Sequence, residues 1–543
     1  MNPLAELRAT VEAAAAGVRG EDHGQGAAPT LERPPQPGFG DYSTNAAMLL
    51  APVLGEQPRA IAERLGEKLS GRLEGRLDRV EVAGPGFLNL FLTDVWYREA
   101  LAHVLEAGEG FGAATAPSPQ RVLVEFVSAN PTGPITAGGG RNAAYGDALA
   151  RVLEFSGHEV GREYYVNDHG SQVRKLGESI RARARGDEVP EDGYEGDYVR
   201  ELAERIPGAA DADPDELAAR GVEFMLEQVR QTLERFRVRF DSWFSERALH
   251  EGDPNPVEQA FAALAERDMT YRSDGALWLR SSRLGDEKDR VLERSSGEHT
   301  YLASDLAYHV DKRRRGFDLL IDVWGADHHG YVKRIEAGFE ALGGRAGALE
   351  LLIMQFVHVV EHGGRASMSK RRGDFVRLDE LMDEIGVDAA RFFMLKPSHD
   401  STLDLDLDLA REESDKNPVY YVQYAHARIA SLLAKAGEAR VTAALAVPAP
   451  PGAPFEPPEC ALIKRLLAFP DEVTEASERR APHRIATYAL ELAQDFTAFY
   501  RDCRVVGAEP EEVESFRLAL SLAAKRTIAR SLDLLGVSAP ETM

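Results

Sequence analysis

Cysteine is almost missing from this chain: Cys460 and Cys503 are the only two in 543 residues. That rules out a disulfide scaffold and a Cys-rich zinc site, and it leads us to expect a reducing, cytoplasmic setting. No run of about 18 apolar residues occurs, so no transmembrane helix is expected. The opening Met1-Asn2-Pro3-Leu4-Ala5-Glu6 lacks the basic start and apolar core of a secretory signal. Basic residues are in deficit, with 64 Lys plus Arg against 89 Asp plus Glu and a net charge of −25. So acidic a surface argues against a non-specific nucleic-acid coat or a membrane-surface protein, yet leaves room for a nucleic acid met through local basic patches. Internal repeats are also lacking. What is present is globular material, 44% hydrophobic and 28% charged, enough for three or four domains.

Residues 1–112 read as a small α+β domain. An amphipathic start and a Pro-rich turn lead into helical stretches, and residues 80–92 form two short strands about Gly84-Pro85-Gly86. Residues 113–120 are a linker. The pattern then changes to alternating strands and helices, which predicts a doubly wound α/β sheet over residues 113–405. Its strands are the near-continuous apolar runs 121–127, 160–166, 319–324 and 351–360, as expected where both faces are buried. An acidic, helix-rich insertion at about 172–270 interrupts the alternation. From about residue 406 strand signals stop, and residues 406–543 read as an all-α bundle.

Ligands of such a sheet bind at the carboxyl ends of its strands. After the first strand the chain runs Ser128-Ala129-Asn130-Pro131-Thr132-Gly133-Pro134-Ile135-Thr136-Ala137-Gly138-Gly139-Gly140-Arg141. Glycines entering a helix let phosphate approach backbone N–H groups and the positive end of the dipole. Gly138, Gly140 and Ala143 match a dinucleotide fingerprint, but the ten residues 128–137 stand between strand and glycine, where the fingerprint allows no such gap. A Gly-rich structural turn is the other reading. Far downstream, Ser367-Met368-Ser369-Lys370-Arg371-Arg372-Gly373 offers cations that can close on a polyphosphate as charge develops, or that are simply solvated.

In this order the two segments resemble those of class I aminoacyl-tRNA synthetases, and in detail the bacterial type of arginyl-tRNA synthetase. The carrying residues are 124–134, Gly146-Asp147-Ala148-Leu149-Ala150-Arg151, Arg162-Glu163-Tyr164-Tyr165-Val166-Asn167-Asp168, Trp324-Gly325-Ala326-Asp327-His328-His329-Gly330, Met368-Ser369-Lys370-Arg371, residues 386–393 and residues 417–429. Phe39-Gly40-Asp41-Tyr42 and Ala83-Gly84-Pro85-Gly86-Phe87 match the family's extra tRNA-contacting domain. The resemblance implies a Rossmann-type catalytic domain between an N-terminal tRNA-contacting domain and an anticodon-binding bundle. The activity it implies is ATP-dependent activation of arginine to arginyl-adenylate and transfer to tRNA(Arg) by a monomer. One departure stands out. Where the family has His-Val-Gly-His, this chain has Thr136-Ala137-Gly138-Gly139, so both histidines that hold ATP phosphates are absent. The second signature starts at Ser367 in place of Lys, with its second lysine kept as Lys370. The alternative to an active ligase is therefore an impaired tRNA- or arginine-binding protein of the same fold.

By the resemblance Lys370 and Gly138 are catalytic, and Thr136, Gly138, Gly139, Gly140, Met368, Ser369 and Lys370 bind ATP. Glu125, Asn130, Tyr301, Asp305 and His328 line the arginine pocket, and Asn89, Tyr420 and Tyr424 meet tRNA. The residues themselves say some of this. A guanidinium seeks carboxylates. Glu125 lies inside an apolar strand, where a substrate guanidinium would serve it as partner, though a structural Arg or a solvated edge would do the same. Tyr301 and Asp305 share a helical face or are surface residues. Tyr420, Tyr421 and Tyr424 stack unpaired bases or fill a core, with at least one expected inside. Lys312-Arg313-Arg314-Arg315 is a basic patch for the tRNA acceptor end or a solvated face. His169 is a candidate to stand in for the absent histidines, or else a surface residue in a turn. Asp327-His328-His329 lacks a third ligand at suitable spacing, so no metal site is expected, and Mg²⁺ enters only as the counter-ion of ATP.

Overall fold

The computed structural model describes residues 2–20, 27–34, 36–365, 376–446 and 454–543. At its centre are β1 (Arg121–Glu125), β2 (Glu159–Val166), β3 (Ser242–Ser245), β4 (Leu319–Gly325) and β5 (Leu349–Met354). They lie in the order β5-β4-β1-β2-β3, all parallel. The apolar runs form strands because both faces are covered: Val122, Leu123, Val124, Leu320 and Ile321 are all buried. Helix α1 (Ala137–Phe155) connects β1 to β2, and α2 (Tyr301–Arg314) leads into β4. α1 lies so close to β1 that a Cβ on Gly146 would sit 2.1 Å from the Phe126 ring, so only glycine fits. The direction of winding reverses between β1 and β4, which places the binding crevice at their carboxyl ends.

Two expectations need correction. The insertion is shorter than residues 172–270, because Ser242–Ser245 within it pairs with β2 as an edge of the central sheet. Its four residues, Ser-Trp-Phe-Ser, make no apolar run, so the strand was invisible to pattern. The run 351–360 is two strands: after β5 the chain turns, and Val357–Glu361 leaves the central sheet to pair with Leu403–Asp406 and Gly364–Arg365.

Ahead of this sheet, Leu31–Glu32, Tyr42–Thr44, Phe87–Leu92 and Leu77–Ala83 form an antiparallel sheet in that order, with the last two strands joined at Gly84-Pro85-Gly86. Beyond it come α3 (Leu378–Leu395) and α4 (Pro418–Ala436), then helices Glu438–Ala446, Pro457–Leu467, Phe469–Glu478, His483–Asp502 and Glu511–Leu534. α4 begins where the side chain of Asn417 accepts from Val419 N with Pro418 in the first turn, a standard start. α3 fastens this bundle to the sheet. Wholly buried Arg391 donates to Asp147 of α1 at 2.6 Å and to the carbonyls of Phe236 and Leu535. One turn earlier, Asp388 accepts from Arg237, from Ser538 and from Gln423 of α4. Among the described residues no helix is long and apolar enough to cross a membrane.

Candidate active site

Three carboxylates cross the middle of the sheet in register, one per strand: Asp322 of β4 pairs with Glu125 of β1, and Glu125 with Glu163 of β2. All three are buried. Such a row survives only if its charge is answered, and α2 answers it. Lys312, wholly buried, puts its Nζ 2.6 Å from Glu125 and 2.7 Å from Asp322. His309 reaches Asp322 at 2.9 Å. Tyr308 donates to Glu163 at 2.6 Å, and Arg315, just past the helix, binds Glu163 through two nitrogens at 2.6 and 2.7 Å. Burial would raise Asp322, but Lys312 and His309 bring its carboxyl down to about 2. Burial keeps Glu125 above the usual carboxylate range against the pull of Lys312.

Glu125 thus has its partner inside the protein: Lys312 holds one oxygen and Ser128 Oγ donates to the other at 2.8 Å. The run Lys312-Arg313-Arg314-Arg315 is not one solvated patch, since Lys312 is buried. Lys312 and Arg315 serve the acid row, and Arg313 donates to the carbonyls of Leu342 and Gly343. Residues 305, 308, 309 and 312 recur at helical spacing on one face, and that was the signal available in the sequence.

Two carboxylates nearer the strand ends have no ion-pair partner among the described residues. Burial, with Glu125 and Asp322 close by, pushes Asp305 up to about 7 against the pull of His309 and Lys312. Burial together with Asp305 and Asp168 pushes Glu246 up to about 7, although Tyr165 and Ser304 bond to it. Glu246, which sequence reasoning passed over, follows directly on β3, the strand that also escaped notice. Tyr301 is exposed at the start of α2, one turn before Asp305. Asn130 is exposed, bonded to Gln172 at 2.8 Å and 3.1 Å from the Asn167 side chain. His328 lies exposed in the turn after β4, beside Asp327 at 3.3 Å. His169 is exposed and stacks on His250 with ring centroids 4.2 Å apart; His299 lies beyond at 6.1 Å. Burial and the two neighbouring imidazoles push His250 down to about 4.

The Gly-rich segment after β1 opens α1. Thr136 caps the helix, its Oγ1 accepting from Gly139 N at 3.3 Å. Gly140 N bonds Thr136 O and Ala137 N bonds Val376 O, each at 2.8 Å. Gly139 and Gly140 therefore spend their N–H groups within the turn, and Gly138 is the exposed glycine of the three. Gly140 serves packing, since a Cβ there would meet Leu378 at 2.6 Å. The second signature, with Met368, Ser369 and Lys370, lies outside the described residues. The chain re-enters against the first signature: besides Val376, Leu378 N bonds Ile135 O at 2.8 Å, and Arg377 bridges to Thr136.

Of the tRNA candidates, Tyr420 and Tyr424 stack with centroids 6.1 Å apart and planes 8° apart. Arg428 lies over Tyr424 at 4.6 Å and over Tyr500 at 5.3 Å, and both of those tyrosines are exposed. Tyr421 is the one that packs against the core. Asn89 is buried, its Oδ1 accepting from Ser43 Oγ at 2.8 Å, whereas Phe87 and Phe39 of the same domain are exposed. Glu361, His362 and Asp408 lie close enough to share a cation. Arg411, 2.8 Å from Glu361 and 3.4 Å from Asp408, already supplies positive charge there.

Family models match in three blocks. Residues 5–92 match the arginyl tRNA synthetase N-terminal domain, residues 101–188 and 211–418 the catalytic domain of class I (R) tRNA synthetases, and residues 422–543 the DALR anticodon-binding domain. The chain is 43% identical to the arginine–tRNA ligase of Carboxydothermus hydrogenoformans over 527 residues, 94% of each chain. It is 42% identical to that of Bacillus subtilis over 533 residues, again 94% of each. The Thermus thermophilus arginyl-tRNA synthetase structure superposes with a TM-score of 0.76 at 27% identity, covering 99% of this chain and 100% of that one. With all three blocks in order along one chain, it belongs to the arginyl-tRNA synthetase family of class I.

Proposed function

We propose that this arginine–tRNA ligase holds the arginine side chain between Asp305 and Glu246, with Glu125 and Lys312 as the neutralised floor beneath them. The observation that carries the reading is a pair of desolvated carboxylates, Asp305 on α2 and Glu246 just after β3, with no ion-pair partner among the described residues. Each is raised to about 7 by burial and by neighbouring acids. A guanidinium supplies planar paired donors that can answer both acids at once, which a lysine ammonium cannot do in the same geometry. Asn130, Tyr301 and His328 are assigned to the rim of this pocket. ATP lies across the start of α1 at Thr136, Ala137 and Gly138, with Mg²⁺ as its counter-ion, and Lys370 acts on the polyphosphate as charge develops during adenylation. Arginyl-adenylate then passes its arginyl group to the terminal ribose of tRNA(Arg). The tRNA is met by the exposed Tyr424–Arg428–Tyr500 ladder, where bases can stack, and by the N-terminal domain through Phe87 and Phe39. The protein works as a monomer in the cytoplasm. Relatives that are ligases over 94% of their length favour this over an impaired binding protein, despite the absent histidines.

The test is arginine-dependent ATP–pyrophosphate exchange with tRNA present. Wild-type protein should exchange with arginine and not with lysine. Lys370→Ala should lower turnover by about 10²-fold with little change in the arginine KM. Exchange with lysine, or unchanged turnover in Lys370→Ala, contradicts the reading.

A further inference from the structure

The backbone leaving β1 is strained. Val127 has φ +68° and Ser128 φ +40°, two successive side-chain-bearing residues in the left-handed region. For a β-branched valine this conformation is a true outlier, and it persists only where its surroundings impose it. The turn matters because of what it aims. Ser128 Oγ donates to Glu125 and accepts from Tyr165 N at 3.1 Å, Tyr164 Oη donates to Ala129 O at 2.9 Å, and Asn130 follows at the rim.

The turn closes through Ser128 N, which donates to Phe126 O at 3.0 Å, and the side chain that holds it from outside is on α1. Asn142 is buried, its Oδ1 accepting from Val127 N at 2.7 Å and its Nδ2 donating to Val323 O at 2.9 Å. One carboxamide thus joins the exit of β1 to the exit of β4 across the point where the sheet reverses. Neither end is replaceable: a carboxylate could not donate to Val323 O, and a hydroxyl is too short to span both. The preceding residue reaches elsewhere. Arg141 donates to the carbonyls of Gln355, Ser398 and Ser401. Two consecutive residues of one helix therefore hold two different sets of loops.

We propose that Asn142 is a positioning residue for amino-acid recognition: it fixes the left-handed turn at Val127 and Ser128 and so sets Ser128 and Asn130 against the arginine. The proposal rests on the arginine site described above. Asn142→Ala should raise the arginine KM about tenfold, the scale of a lost buried hydrogen bond, with the ATP KM changed less than about twofold. The decisive variant is Val127→Gly in the Asn142→Ala background. Glycine adopts φ +68° without strain, so the double variant should recover most of the arginine KM. If Asn142 merely stabilised the fold, removing a second side chain would make matters worse. Thermal melts confirm folding, and Asn142→Ser replaces alanine in both proteins if the alanine variant does not fold. Equal rises in the KM for arginine and ATP, or no recovery in a folded double variant, overturn the proposal. Asp305→Ala, measured alongside, separates the two levels. If it leaves the arginine KM unchanged, the arginine site itself is misassigned. If it raises that KM while Asn142→Ala does not, only the role of Asn142 falls.

Discussion

In the row across the sheet, each of Asp322, Glu125 and Glu163 has its partner in place, supplied by α2 and the residue just past it. At the start of α1, two of the first four N–H groups stay within the turn, and Thr136 and Gly139 stand where the resemblance leads one to expect two histidines. The first is prebuilt, so its parts cannot be changed singly without stranding a buried charge. The second holds no buried charge: Gly138 is exposed, and what limits a side chain at 139 or 140 is packing against Ile135 or Leu378.

The strongest way to break this contrast is Lys312→Met. Glu125 and Asp322 would both stay buried without their cation, and stability should fall by about 3–5 kcal/mol in urea denaturation. A loss near zero would mean that the row is not electrostatically coupled. Next, Asp305→Ala should raise the arginine KM by about a hundredfold or more while the ATP KM stays nearly constant, because a desolvated partner of the guanidinium is removed. At the start of α1 the sign reverses. Thr136→His with Gly139→His should raise exchange turnover by about 10²-fold if the lost donors limit the rate. A Cβ at 139 would stand 3.0 Å from Ile135 Cγ2, so Ile135→Ala, which removes that methyl, is paired with it to make room. No gain would assign the phosphate contacts to other groups. The smallest effect is that of pH. Asp305 and Glu246 sit near 7 when free, so arginine binding must release protons and tightens as pH rises. From pH 6 to 8 the arginine KM should fall by about tenfold for one such group, and Asp305→Asn should flatten the slope. A rise in KM over that interval would reverse the assigned protonation states.

The sequence revealed the strands that are continuous apolar runs and missed Ser242–Ser245, where side chains are half-buried and no run exists. Glu125 was legible as a buried acid, but its true partner was not. Register ties residues 125, 163 and 322 together, and no spacing along the chain carries that information. Lys312 looked like part of a solvated cluster because adjacency in sequence suggests a shared surface, whereas a helix turns successive residues to different sides. Asn142 left a faint signal, a carboxamide among the small and apolar residues of α1.

The buried Arg391–Asp147 pair has a thermodynamic consequence. Arg391 binds a side chain on the signature helix and a carbonyl just beyond the last helix of the bundle, and Asp388 adds Gln423 and Ser538 to the same knot. Releasing the bundle would therefore break the Arg391–Leu535 bond and the Asp388 bonds to Gln423 and Ser538 together. The two regions are expected to melt as a single cooperative unit, seen as one calorimetric transition.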